Sequence, residues 1–361
     1  MTAVKDFANL GLRGQLLRLK AVARNALPLY GLSRDSKLIL LNHSENTTYR
    51  VDDPATGRRS VMRVHRTKYH TTNGIKSELR WMKALNDEAG VHTPQAIPAR
   101  DGEILKIVDA PDMDEPRHVV LFEWVEGRVP DQTKLVKPFE RLGEISAKMH
   151  RHVVGWVRPA WFERLVWDED TTIGVNVNWG HWEDGPGLNP ERRALLSELA
   201  EALRARLAAF GKAQTRYNLV HADLRLANLL IYKGDPRVLD FDDSGFSWFL
   251  YDFGTATSFV EERPEMPELI ASWLKGYRRV RALSAAEEAE IPTFVMLRRL
   301  MAIGWVASHP GTDLALELGE DFTLGTCRLA KTYLDDPDIF RAPEKWRTRR
   351  HQPEALRIIR N

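Results

Sequence analysis

The chain has 361 residues, 43% hydrophobic and 28% charged, with a formal net charge of +2. That is the profile of an ordinary globular protein with room for a substantial core and about two domains. So small a net charge supplies no field to draw the whole molecule to nucleic acid or a membrane surface, and the single cysteine, Cys327, excludes an internal disulfide.

Residues 4–27 set Phe7, Leu10, Leu16, Leu17, Leu19, Val22 and Leu27 among Lys5, Arg13, Arg18, Lys20 and Arg24. This predicts a basic amphipathic helix, broken near Gly11 and ended before Pro28. With charges scattered rather than clustered, it is expected to pack on the body of the fold and not to lie on a membrane. The charges also interrupt any apolar leader, and no stretch approaches eighteen apolar residues, so neither a signal peptide nor a membrane span is expected and the chain reads as cytoplasmic.

Short strands follow over 38–41, 49–51 and 60–65, with a polar turn at 42–48. Residues 75–85 form a helix with Ile75, Leu79, Met82 and Leu85 on one face. A linker through Gly90 and Pro94 leads to short strands near Ile97 and over 104–108, then to a buried strand from Val119 that ends at Gly127. The helix over 135–152 carries Leu142, Ile145, Met149 and Val153 in one stripe, with His150 and His152 at its end. No second ligand pair at zinc spacing exists, so the two histidines are expected to be helix-end side chains. Residues 155–190 hold Trp156, Trp161, Trp167, Trp179 and Trp182 among acids and glycines, serving either as core or as the wall of a substrate pocket. A helix over 191–210 leads to the next apolar pair.

That pair, Leu219-Val220, opens into His221-Ala222-Asp223-Leu224, and Asn228 follows Asp223 by five residues. Apolar runs over 228–232 and 237–239 flank the turn Lys233-Gly234-Asp235-Pro236 and read as a hairpin, which delivers Asp240 and then Asp242 and Asp243. Phosphoryl transfer needs this set. One carboxylate accepts the proton of the attacking hydroxyl, while an amide oxygen and a second carboxylate hold Mg²⁺ on the nucleotide phosphates. The spacing H-x-D-x-x-x-x-N is that of a kinase catalytic loop. Single Asp and Asn residues mostly cap turns, but the hairpin and the D-F-D run after it weigh against that here. Asp223 is therefore read as base or orienter, and Asn228, Asp240 and Asp242 as metal ligands.

Beyond this stretch, helices over 267–309 bear Trp273, Tyr277, Phe294, Met296, Leu300 and Trp305. The run Glu261-Glu262-Arg263-Pro264-Glu265 before them is either a solvated charge run or a source of acids for the acceptor site. The basic tail from Arg341 has no aromatic beyond Trp346 and is not expected to bind nucleic acid.

These motifs resemble the aminoglycoside phosphotransferase and choline kinase group of kinase-like enzymes, which is similar in turn to type II homoserine kinases and a bacterial stress-response kinase. The resemblance covers about 35–310 and is strongest over 219–255. Catalytic loops there usually read H-G-D-x-x-x-x-N, so Ala222 stands where Gly is usual. The resemblance implies an α+β, bilobal protein-kinase-like fold: a helical extension (1–33), a small β-rich N-lobe (34–125), a larger mainly helical C-lobe (126–340) and a basic tail (341–361), with ATP bound at the hinge. It also implies roles. Ser44 and Asn46, in a glycine-free turn, would serve the phosphates. Arg63 would take the place of the strand lysine that reaches the α- and β-phosphates, with Glu78 as its helix partner. Glu123 and Val125 would offer backbone groups to adenine, Arg225 would contact the γ-phosphate, and Asp252 would brace the catalytic-loop backbone.

The implied activity is Mg-ATP-dependent transfer of the γ-phosphate to a hydroxyl of a small, amino-bearing molecule: an amino alcohol, a homoserine-like compound or an aminoglycoside. One alternative is a protein Ser/Thr kinase of the stress-response type, which shares the run Asp240, Asp242 and Asp243. Against it, Tyr251 follows too soon after Asp240 for a long activation segment. Another is a catalytically silent nucleotide-binding module. The expected partner is a small hydroxyl acceptor, with no nucleic acid and no membrane; the sequence leaves the oligomeric state open.

Overall fold

The structure, a computed structural model, describes residues 7–349 apart from Ser44, Pro111 and Gln132. Ser44, expected at the phosphate turn, lies outside the described residues, as do Lys5, Arg350, Arg357 and Arg360. By contact the chain divides into two units. The first draws on Met1–Asp87, His92–Gly127 and Arg158–Glu163, the second on Glu88–Val91, Arg128–Val157 and Arg164–Asn361.

The first unit contains α1 (Leu12–Ala26), β1 (Lys37–His43), β2 (Thr47–Asp52), β3 (Arg59–Val64), α2 (Thr72–Glu88), β4 (Leu105–Val108) and β5 (Arg117–Glu123). The strands form one antiparallel sheet in the order β1-β2-β3-β5-β4. Helix α1 starts after Gly11, where the sequence predicts a break. Its Leu19, Val22, Ala23 and Ala26 sit in one cluster with Tyr49, Val51, Met62, Val119 and Leu121 of the sheet. Burying a Leu or Val stabilises by about 1.5–3 kcal/mol, so α1 belongs to the core of this unit and is not a detached extension. Strand β3 alternates, with Ser60, Met62 and Val64 buried, which turns Arg63 to the other face.

The second unit contains α3 (Val136–Gly155), β6 (Leu165–Val166), α4 (Glu169–Ile173), α5 (Pro190–Phe210), β7 (Tyr217–Val220), β8 (Leu229–Tyr232), β9 (Asp235–Val238) and β10 (Gly245–Trp248). After them come α6 (Tyr251–Ala256), α7 (Met266–Tyr277), α8 (Ala285–Ala289), α9 (Ile291–Ser308), α10 (Asp313–Asp335) and α11 (Pro343–Arg349). Asn189 caps α5 by accepting from the Arg192 N–H at 2.8 Å, with Pro190 in the first turn. Helices α3 and α7 approach at Gly143 and Gly276. A Cβ at Gly143 would lie 2.0 Å from the Trp273 carbonyl, and one at Gly276 1.8 Å from that of Glu140, so only glycine permits the contact.

Strand β10 pairs antiparallel with β7 and parallel with β6. Strands β8 and β9 form the predicted hairpin, with a tighter turn than the sequence indicates: Tyr232 pairs Asp235, leaving only Lys233 and Gly234 between them, at φ 51° and 88°. Positive φ at both central residues is the two-residue turn whose twist matches paired strands.

Helix α9 is buried along nearly all its length, yet carries Arg298 and Arg299, 4% and 3% exposed. Among the described residues one stretch, Ala285–Ser308, is long and apolar enough to cross a membrane, and its most apolar eighteen residues are 83% buried within the protein. Part of the basic tail also packs: Trp346 of α11 is buried and its indole N–H donates to the Arg263 carbonyl at 3.0 Å.

Candidate active site

The loop between β7 and β8 is shaped first by its backbone. Ala222 has φ 64°, a left-handed conformation that costs a residue with a Cβ about 1–2 kcal/mol. What holds it there is Asp252, at the start of α6: its carboxylate accepts from the Ala222 N–H at 2.8 Å and from the His221 N–H at 3.2 Å. Asp252 is itself fully buried and takes a further bond, at 2.9 Å, from His150 Nε2. The other nitrogen, His150 Nδ1, lies 3.0 Å from the Tyr277 hydroxyl, which donates to it. Burial lowers the His150 pKa, more than the neighbouring Asp252 raises it, so the ring is neutral. His150 is therefore no helix-end side chain, as the sequence led us to expect. It is a buried link between α3, α6 and α7, whereas His152 does sit at the end of α3, near Glu88 at 3.1 Å.

His221 ties the loop to the hairpin. Its Nδ1 accepts from the Asp223 N–H at 3.3 Å, which leaves Nε2 to donate to the Leu239 carbonyl at 3.0 Å. The Leu239 N–H in turn donates to the Asn228 carbonyl at 2.8 Å. The ladder thus sets Asn228 against Leu239, and Asp240 comes one residue later.

Asp223 is 9% exposed and all its acceptor capacity is taken. Arg225 donates to both oxygens, Nε to Oδ1 at 2.9 Å and an Nη to Oδ2 at 3.2 Å. Arg298, from α9, donates to Oδ1 at 3.1 Å, and Asn228 Nδ2 to Oδ2 at 2.8 Å. Burial pushes the Asp223 carboxyl up, but the charges of Arg225 and Arg298 outweigh it and hold the group below its ordinary value. Asp223 is a carboxylate at neutral pH. Arg225, expected on a γ-phosphate, lies in this structure on Asp223.

Asn228 also donates to the Asp223 carbonyl at 2.8 Å, so its amide nitrogen is fully used and its Oδ1 faces away from Asp223. Asp240 is exposed, at φ 58°, and Asp242 is buried. Two residues from the Trp-rich segment fix the run between Phe241 and Ser244. Arg164 donates to the carbonyls of Phe241, Asp242 and Ser244, and the Trp167 indole donates to that of Asp243 at 2.7 Å. Two carboxylates and an amide oxygen are hard donors, and so few protein ligands suit Mg²⁺, which keeps waters and binds substrate phosphates. Among the described residues no group of three His, Cys, Asp or Glu could hold a metal by itself; the amide is part of the set.

In the first unit Arg63 Nη1 pairs with Glu78 Oε1 at 2.7 Å, the Glu78 side chain being fully buried and that of Arg63 12% exposed. The Arg63 guanidinium also lies 5.2 Å from the Phe122 ring centre. The ion pair expected from the sequence is formed. Asn46 Oδ1 accepts from the Arg66 N–H at 3.2 Å. Glu123 closes β5 and spends its N–H on the Gln95 carbonyl at 2.9 Å, while Val125 lies two residues on in a stretch without regular structure.

The Glu261–Glu265 run is solvated over Arg263, Pro264 and Glu265, whereas its first two acids are engaged by cations of the protein. Glu261 pairs with Arg299 at 2.7 Å, and Glu262 bridges Arg299 and Arg328. Arg298, by contrast, reaches Asp223 and escaped the sequence reading. The signal for it was two adjacent cations inside an apolar helix, since a buried charge must find a partner. Cys327 is buried in α10, which pushes its thiol up to about 11 and leaves it inert.

Residues 38–286 match the model of the family described as the phosphotransferase enzyme family, APH. A solved structure of a microcompartment-associated aminopropanol kinase is 43% identical, with a TM-score of 0.81, over 87% of this chain and 97% of that one. Amicoumacin kinase of Bacillus subtilis (strain 168) is 25% identical over 296 residues, 78% of this chain and 83% of the relative. The solved amicoumacin kinase hAmiN, in complex with AMP-PNP, Ca²⁺ and Ami, is 22% identical with a TM-score of 0.70, over 90% of this chain and 96% of that one. At that identity it speaks for the fold, which is kinase-like.

Proposed function

The chain belongs to the APH phosphotransferase enzyme family, and from that premise we propose that its acceptor is a small amino alcohol. It is an ATP-dependent kinase, a phosphotransferase with an alcohol group as acceptor and Mg²⁺ as its metal. The observation that carries the choice of acceptor is the 43% identity, across nearly the whole of both chains, to a kinase described by its action on aminopropanol.

The residues divide the work. Asp223, held ionised, orients the acceptor hydroxyl and takes its proton as the new O–P bond forms and the bond from the γ-phosphorus to the bridging oxygen breaks, releasing ADP. Asn228 Oδ1, Asp240 and Asp242 would hold the metal, which when bound neutralises charge on the phosphates. Arg63, aimed by Glu78, clamps the α- and β-phosphates, and Arg225 exchanges Asp223 for the γ-phosphate. Asn46 and the backbone of Glu123 and Val125 serve the nucleotide. Acting on a small metabolite, the enzyme works in the cytoplasm without nucleic acid or membrane.

The test is ADP release with Mg-ATP against 1-amino-2-propanol, ethanolamine, homoserine, choline, an aminoglycoside and a generic protein. The strongest stimulation is expected from a short amino alcohol. Stimulation by homoserine, the aminoglycoside or the protein alone would replace this acceptor class.

A further inference from the structure

Two guanidiniums hold Asp223, and they are not equivalent. Arg225 stands two residues along the same loop, and its side chain is 28% exposed. It moves with the loop, so it cannot fix the loop's carboxylate relative to the rest of the unit. Arg298 comes from α9, a helix buried along nearly all its length, and its side chain is 5% exposed. Its Nε donates to Ser258 Oγ at 3.1 Å and Nη1 to the Tyr251 hydroxyl at 3.4 Å, while Nη2 reaches Asp223 Oδ1. The ring of Trp179 covers the guanidinium, its centre 4.7 Å away. Trp179 is in turn edge-on to Trp167, whose indole holds the Asp243 carbonyl.

We propose that Arg298 is the positioning residue of the reaction: its buried guanidinium, fixed by Ser258, Tyr251 and Trp179, sets the orientation of the Asp223 carboxylate. The inference rests on the role given above to Asp223. With Arg225 engaged elsewhere, one donor remains on each oxygen, Arg298 on Oδ1 and Asn228 on Oδ2, so the carboxylate plane stays defined and one lone pair per oxygen opens to the acceptor hydroxyl. Arg298 touches neither nucleotide phosphate nor acceptor in this account and acts only through Asp223.

The desolvation of this arginine is costly unless its partner stays charged and in place. Nature of the helix makes the point: α9 spends two buried cations on adjacent positions, one on the structural acids Glu261 and Glu262 through Arg299, the other on Asp223.

Arg298→Ala should lower kcat by about 10²-fold, the cost of a carboxylate displaced by about 1 Å, with the KM for ATP unchanged. Guanidinium chloride at low concentration should restore part of that kcat, whereas it would only destabilise a variant whose defect is misfolding. Arg298→Lys, which keeps the charge but loses the planar fork, should fall between wild type and Ala. Should Arg298→Ala fail to fold, Ser258→Ala decides: it removes the Nε anchor and keeps the charge, and kcat should fall several-fold at constant KM for ATP. Asp223→Asn is assayed beside them. Wild-type kcat in Ser258→Ala, or an Arg298→Ala variant that folds but gains nothing from guanidinium, overturns the inference while an inactive Asp223→Asn preserves the assignment of Asp223. An active Asp223→Asn overturns both.

Discussion

Glu78 in the first unit and Asp223 in the second are both buried carboxylates held by arginine, and they are held in different ways. Glu78 has one guanidinium, that of Arg63, fifteen positions away on the strand before its helix. Asp223 has two guanidiniums and an amide, drawn from 2, 5 and 75 positions away. A single partner makes a clamp that one substitution can release. Several partners, one of them from a distant helix, fix the plane of the carboxylate as well as its charge, and that is what a reacting group needs, since misplacing it by about 1 Å costs about 10²-fold in rate.

The sharpest way to break this contrast is Asp223→Asn, which keeps the shape and removes the charge. We expect kcat to fall by about 10³-fold with ATP binding intact by equilibrium titration. Loss of ATP binding would mean that the second unit's carboxylate serves the nucleotide as well. Arg63→Met should do the opposite, raising the KM for ATP about tenfold, the worth of one charged hydrogen bond, with the KM for the acceptor unmoved. Equal shifts in both would dissolve the division of labour.

The brace behind Asp223 gives a smaller, pH-dependent effect. His150 is neutral when folded and its pKa is lowered by burial, so the folded state binds fewer protons than the unfolded chain below the ordinary histidine value of about 6.5. Stability is then fully present above that pH and lost as pH falls through it, by at most about 1.4 kcal/mol per unit. Denaturant midpoints measured from pH 7.5 downward should show this slope, and His150→Gln should flatten it. The smallest effect has the opposite sign. Ala222→Gly relieves the left-handed strain at φ 64° and should stabilise by about 0.5–1 kcal/mol, seen as a higher unfolding midpoint.

The difference between the two carboxylates also explains what the sequence could tell. Most of what is local was legible. The hairpin announced itself through Lys233-Gly234 between apolar runs, and H-x-D-x-x-x-x-N with D-F-D placed Asp223, Asn228 and Asp240 around it. Arg63 and Glu78 came from the resemblance, which puts a cation on this strand and its carboxylate partner on the next helix. What stayed hidden depends on how distant helices meet. His150 looks like a helix-end residue until α3 packs on α7 through Gly143 and Gly276. Glu261 looks solvated until Arg299 arrives from α9, and Arg298 sits in the same helix with nothing nearby in sequence to name its partner. The exact turn of the hairpin was missed by two residues, because Pro236 reads as a turn former yet sits in β9 opposite Ile231.

The most direct test of the whole account is the ³¹P spectrum of the product formed from Mg-ATP and 1-amino-2-propanol. A phosphate monoester coupled to the carbinol proton, appearing as ADP accumulates, is the predicted result. A phosphoramidate on the nitrogen, free phosphate alone, or phosphate on protein would contradict transfer to the hydroxyl of a small amino alcohol.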